Sequence, residues 1–163
     1  MKIIPFHSDA DMDVFNRILA IMKRLSKEGV FSGTFTRLAS SIFAFLINEN
    51  GKDVGFIYFV DENIDDVLFV DMGFIPEARG KGLAAKAMDE IIKSICSKYD
   101  AFLVSEVDPR NIAAVKSTEK SGAIRLTNRH YLLQPERFGD FLNHLYQLGI
   151  DLNEHTAGKR PMF

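Results

Sequence analysis

The segment Arg79-Gly80-Lys81-Gly82-Leu83-Ala84 sets two glycines one residue apart between cationic side chains. An apolar run from Val67 to Ile75 leads into it, and a helical pattern from Leu83 to Ile95 leads out. A strand, a glycine turn and a helix in this order form a site that binds phosphate with backbone alone. Glycine lets the main chain approach an anion closely. The first helical turn has amide N–H groups with no partner of their own, and the helix dipole favours negative charge there. Arg79 and Lys81 add positive charge, with a solvated surface role an equal alternative for Lys81 and a lesser one for Arg79. A P-loop is excluded, because Gly80-Lys81 is followed by Gly82 rather than Ser or Thr. A Rossmann fingerprint is excluded by the missing third glycine near Ala85 and by the order of elements.

Other residues suggest acid–base chemistry. Asp71 and Glu106 sit in apolar runs that read as strands. Burial there raises a carboxylate pKa toward the range of a general base, unless a salt bridge or solvent claims the group. Asn111 opens a second helical stretch that closes at Gly122, and a plain helix cap is the alternative role for it. Cys96 reads as a small core residue rather than a nucleophile. Asp61, Glu62, Asp65 and Asp66 lack the glycine and closing Glu of a calcium loop and read as a solvated turn.

These residues need a scaffold. Lys2 to Phe6 reads as a strand. Ser8 offers a helix cap with Asp11 behind it, and Val14, Phe15, Ile18, Leu19, Met22 and Leu25 follow at helical spacing up to Gly29. Residues 29–41 read as an ordered loop with room for a short helix. Three strands follow, Ile42 to Ile47, Val54 to Val60 and Val67 to Ile75, joined by turns that include Asn50-Gly51, and they form an antiparallel meander. The helix from Gly82 carries Leu83, Ala84, Ala87, Met88, Ile91, Ile92 and Ile95 on one side. Phe102 to Val107 is a strand reached through a helix, so a parallel arrangement with the preceding strand is expected. Ile124 to Leu126 and His130 to Leu133 read as a hairpin. Pro135 opens a last helix with Phe138, Phe141, Leu142, Leu145 and Leu148 as its buried stripe.

The 163 residues amount to one domain of ordinary size, with 47% hydrophobic and 26% charged residues, as in soluble globular proteins. A net charge of −2 argues against broad binding to nucleic acid or to an anionic membrane. With Cys96 the only cysteine, no internal disulfide forms. Met1 to Phe6 turns polar too soon for a signal peptide, and no apolar run approaches the ~20 residues of a membrane helix, so a cytoplasmic location is expected. Residues 1–152 read as one domain and 153–163 as a mobile polar tail.

Over Val67 to Gly122 the chain resembles the GNAT acyltransferase superfamily. The family's acyl-CoA motif is met by Arg79, Gly82 and Ala84, and its later motif by Asn111, Ala114 and Gly122. The element order over residues 1–133 is similar too. The resemblance implies an α/β (α+β) fold with a mixed, mostly antiparallel central sheet flanked by helices, here with an added C-terminal helix. It implies N-acyl transfer from acetyl-CoA to a small-molecule or peptide amine by direct attack on the thioester. Backbone N–H groups of Arg79, Gly80, Lys81, Gly82, Leu83 and Ala84 would hold the CoA pyrophosphate. Phe74 and Ile75 would pair with the pantetheine arm where the strand splays from its neighbour, and Asn111 and Ala114 belong to the same cofactor site. Asp71 and Glu106 are the base candidates. Many members place a Tyr where this chain has Thr118, a shorter and weaker acid, and Tyr131 is a second candidate for that proton. A non-catalytic CoA-binding module of the same fold is the alternative that Thr118 favours, and a structural homodimer supported by the 14 Phe residues is a third.

Overall fold

The computed structural model describes residues 1–6, 12–29, 35–152 and 160–161. They form two compact units, Met1–Ala101 and Phe102–Phe163. The class is α+β, with mostly antiparallel strands flanked by helices.

The first unit is built on β1 (Lys2–Phe6), β2 (Phe43–Glu49), β3 (Lys52–Asp61) and β4 (Val67–Phe74), each antiparallel to the next. The expected meander is present. Asn50 and Gly51 both adopt positive φ, 51° and 80°, at its first turn. These are the angles of the hairpin turn that follows the natural strand twist. Helix α1 (Met12–Lys27) buries Val14, Phe15, Ile18, Ile21, Met22 and Leu25. The expected cap at Ser8 and Asp11 lies outside the described residues. Within the expected loop 29–41, residues 35–39 form a short helix, α2 (Phe35–Ala39), and residues 30–34 are outside the described set.

Opposite residues in a ladder share a face. Tyr58 faces Asp71 and Phe56 faces Gly73, and a side-chain carbon on Gly73 would meet Leu25 of α1 at 2.6 Å. That face therefore belongs to α1. Phe43 pairs with Phe59, and Phe45 with Ile57, on the other face. There Ile91 and Ile95 of α3 (Leu83–Cys96) line a cavity of about 540 Å³ together with Phe43 and Phe45. Cys96 departs from the expected core role, because it is exposed. Ala87, Met88, Ile91 and Ile95 define the buried line of α3, and Cys96 lies one residue, about 100° of helix rotation, past it.

The second unit contains β5 (Phe102–Glu106), α4 (Ile112–Lys120), β6 (Ile124–Arg125), β7 (His130–Leu132) and α5 (Phe138–Gln147). The expected hairpin forms, with β7 antiparallel to both β5 and β6. Helix α5 buries Phe141 and Leu145 but leaves Leu142 and Leu148 exposed. Its inner face turns instead toward His144, whose ring lies 5.3 Å from Phe102. In the stretch expected as a mobile tail, β9 (Arg160–Pro161) pairs in parallel with β8 (Ile150–Asp151). The rest of residues 153–163 is outside the described set. Among the described residues no helix is long and apolar enough to cross a membrane.

One contact fixes the end of β4 against β3, and an ion pair ties α1 to β3. Gly55 lies opposite Phe74, and a methyl group on Gly55 would come within 2.5 to 2.8 Å of the Phe74 ring. Beside the irregularity at Ile47/Asn48, Arg17 of α1 grips Asp53 with two bonds of 2.8 and 2.7 Å, and Asn48 donates a third at 2.8 Å. The Arg17 bonds, with help from Asn48 and against partial burial, hold the Asp53 carboxyl below its ordinary 3.8. Such a group stabilises the fold above that ordinary value, and the contribution is lost as pH falls through the lower folded value. Replacing Arg17 by Ala should therefore lower stability at neutral pH and flatten the loss of stability below about pH 4, as read from denaturant midpoints. Gly55→Ala should cost about 1–3 kcal/mol in the same measurement, through overpacking against Phe74.

Candidate functional site

In the first unit, β4 ends at Phe74 and a single 3-10 turn, Pro76–Ala78, leads to the glycines. Gly80 and Gly82 have φ of 77° and 74°. A Cβ at either would meet nothing within 4 Å, so the demand for glycine comes from backbone angle and not from crowding. Gly82 is the N-cap of α3, and no side chain caps it. The first helical bond runs from Lys86 N–H to the Gly82 carbonyl. Among the described residues the N–H groups of residues 80–85 find no acceptor. The expected anion cradle is thus present as geometry, with Gly80, Lys81 and Gly82 exposed to solvent and Leu83 and Ala84 half-buried.

Arg79 is more than a solvated cation. Its Nε donates to the Phe74 carbonyl at 3.0 Å, tying the turn back to the strand end. The Phe74 and Ile75 side chains are buried, and the Ile75 N–H donates to Val54 at 2.9 Å. Whatever these two residues offer a ligand is therefore main chain.

Asp71, a candidate base, is already engaged. Arg37 of α2 donates Nε to Asp71 Oδ2 at 2.7 Å, and its Nη1 reaches Glu62 Oε1. Partial burial opposes the Arg37 charge, but the bonds to Asp71 and then Glu62 prevail and push its pKa above the ordinary value. Tyr58, directly across the ladder from Asp71, is fully buried, and its hydroxyl lies beside Asp71 and Arg37 without a hydrogen bond of good geometry among the described residues. Burial first, and the negative charge of Asp71 second, push the Tyr58 pKa up. Glu62 corrects the reading of the acidic turn as wholly solvated.

In the second unit, Asn111 caps α4, its Oδ1 accepting from the Ala114 N–H at 3.2 Å. Helix α4 buries no residue fully, and Ala114, Val115 and Thr118 share a half-buried face. The Thr118 hydroxyl donates to the Ala114 carbonyl at 2.8 Å, so its proton is committed to its own helix. Tyr131 is buried and donates to Glu119 at 3.1 Å, with burial and that bond raising its pKa. Glu106, at the end of β5, is half exposed and lies 3.4 Å from Arg129. Its other oxygen is 3.9 Å from His130 Nε2. The Thr127 hydroxyl oxygen accepts the N–H groups of Arg129 and His130, which leaves its own proton for His130 Nδ1. That assigns the ring proton of a neutral His130 to Nε2, on the side of Glu106.

Three residues went unread in the sequence. Tyr58 was within reach, because the meander's second turn fixes which residue of β3 faces Asp71. Glu62 was grouped with its solvated neighbours. Arg37 gives no signal, because its partners are distant in sequence.

Residues 15–123 match the family model described as the acetyltransferase (GNAT) family. Among curated proteins, none matches the chain in sequence. Several solved structures share its fold. An acetyltransferase of the GNAT family from Staphylococcus aureus Mu50 is similar at TM-score 0.61 and 14% identity, covering 81% of this chain and 99% of that one. GCN5 from Tetrahymena is similar at 0.58 and 15%, covering 83% and 98%. AAC(6')-Ib, solved with paromomycin and acetyl-CoA, is similar at 0.57 and 14%, covering 81% and 91%.

The cap at Asn111 separates from any ligand role by substitution. Asn111→Ala should cost about 1 kcal/mol of stability by chemical denaturation, whereas Asn111→Asp should keep the cap and lose only the amide's donors.

Proposed function

The chain belongs to the GNAT acetyltransferase family, and from that premise we propose that it moves an acetyl group from acetyl-CoA to a primary amine of a small molecule or peptide. The observation that carries this reading is the run of unpartnered N–H groups at residues 80–85, framed by two left-handed glycines. Such a cradle fits a pyrophosphate in charge and in close backbone approach. Arg79, Gly80, Lys81, Gly82, Leu83 and Ala84 are its members. By resemblance to the family, Phe74, Ile75, Asn111 and Ala114 would hold the rest of the cofactor. Both motifs fall within residues 15–123, which supports treating residues 1–152 as one functional domain. A cytoplasmic site of action is part of the same proposal.

When bound, acetyl-CoA supplies the thioester carbonyl that the amine attacks. The protein must bring the amine there unprotonated and direct a proton to the departing sulfur. Glu106, exposed and flanked by Arg129 and His130, is the carboxylate better able to take a proton through water. Asp71 does so only after leaving Arg37. The Thr118 hydroxyl donates a hydrogen bond to the departing sulfur only by breaking its bond to the Ala114 carbonyl.

A second reading has its own support. Thr118 and Tyr131 both have their hydroxyl protons committed, as in a module that binds CoA without turning it over. Calorimetry with acetyl-CoA, paired with a transfer assay on an amine library, separates the two: both bind, and only the enzyme acetylates.

Gly82→Val forces a branched residue into positive φ. It should raise the acetyl-CoA Kd by about tenfold or more while circular dichroism stays native, since losing hydrogen bonds to a charged group costs about 1.5–3 kcal/mol. Unchanged affinity in a folded variant would remove the basis for this reading.

A further inference from the structure

The side chains of Arg37, Asp71, Glu62 and Tyr58 meet on the α1 face of the first unit. Two carboxylates converge on one guanidinium there, through Nε and Nη1. The Asp71 and Glu62 side chains are only 18% and 39% exposed. Behind them lies the Tyr58 hydroxyl, in a residue that is 0% exposed; it sits beside Asp71 and Arg37 yet makes no hydrogen bond of good geometry among the described residues. A buried, unsatisfied hydroxyl costs about 1–3 kcal/mol, so it calls for an explanation. Arg37 itself sits on a helix of five residues that buries only Leu38, a weak anchorage. The groups thus form a cation site that Arg37, from another element of the same chain, fills.

We propose that Asp71, Glu62 and the Tyr58 hydroxyl form an anchoring subsite for an ammonium group of the acceptor, and that Arg37 occupies this subsite in the free protein as a stand-in for it. The proposal rests on the acetyl-transfer reading and names its substrate class: an amine that carries a second cationic group. The second group follows from charge. A cation held between two carboxylates is stabilised in its charged form and is a poor nucleophile, so the amine bound here anchors while another reacts. Distance permits this, because Asp71 precedes Phe74 by three residues, about 10 Å along a strand. An extended five-carbon diamine covers most of that length, which suits an acceptor whose reacting amine stops short of Phe74. Asp71 then serves as an anchor and not as the base.

Arg37 competes with the acceptor, so the apparent affinity of the subsite is reduced by the fraction of molecules in which Arg37 fills it. Three amines of matched length discriminate the possibilities: cadaverine with two ammonium groups, pentylamine with one, and δ-aminovaleric acid with a carboxylate at its far end. Calorimetry on the full chain should show cadaverine binding more tightly than pentylamine. Arg37→Gln should tighten cadaverine by about tenfold and leave pentylamine within about twofold. Asp71→Asn and Glu62→Gln should abolish the preference for cadaverine. Tyr58→Phe tests the hydroxyl without a change of charge or shape, and should weaken cadaverine by about threefold with no loss of thermal stability. Equal binding of cadaverine and pentylamine, or no gain from Arg37→Gln, overturns the inference. So does a loss of δ-aminovaleric acid binding in Arg37→Gln, which would make Arg37 a reader of carboxylates. Acetyl-CoA binding, measured in the same preparations, keeps the two levels apart. If it is absent, the acetyl-transfer reading fails. If it is present with pentylamine acetylated as readily as cadaverine, only the anchoring subsite fails.

Discussion

An α-helix cannot satisfy its own first amides, and the chain does not satisfy them at α3. Everything proposed for this protein depends on that omission. At the start of α4, by contrast, Asn111 serves the Ala114 N–H. At Gly82 the backbone enters the helix from the left-handed region and no side chain intervenes. Donors left open beside exposed glycines are hydrated in the free protein, and an anion bound there replaces that water with charge-assisted bonds.

The scaffold serves that turn from one side. Gly55 makes room for Phe74, Val54 takes the Ile75 N–H, and Arg79 takes the Phe74 carbonyl, so the last residues of β4 are fixed by three separate contacts before the chain turns. On the sheet face that α1 covers, the same strand carries Asp71 into a cluster of opposite charges. One strand therefore relates the cradle to the charged cluster along a measurable length of backbone.

Much of this could be read in the residues. The meander followed from apolar runs with Asn50-Gly51 between the first two strands, because turn chemistry and strand alternation are local. The glycine turn was legible for the same reason. What stayed hidden depends on distance in sequence. Arg37 meets Asp71 across 34 positions and Arg17 meets Asp53 across 36, and no local pattern reports either pair. The exposure of Cys96 and of Leu142 was missed for a different reason. A stripe read at helical spacing is about 100° wide, and a residue at its margin falls inside or outside according to which neighbour packs there, as His144 does against Phe102.

The bond from Arg79 to the Phe74 carbonyl carries one more implication. A guanidinium carries further N–H groups beyond Nε, so Arg79 can hold the end of β4 and still present charge to an anion at the turn. One side chain thus couples the shape of the turn to its charge.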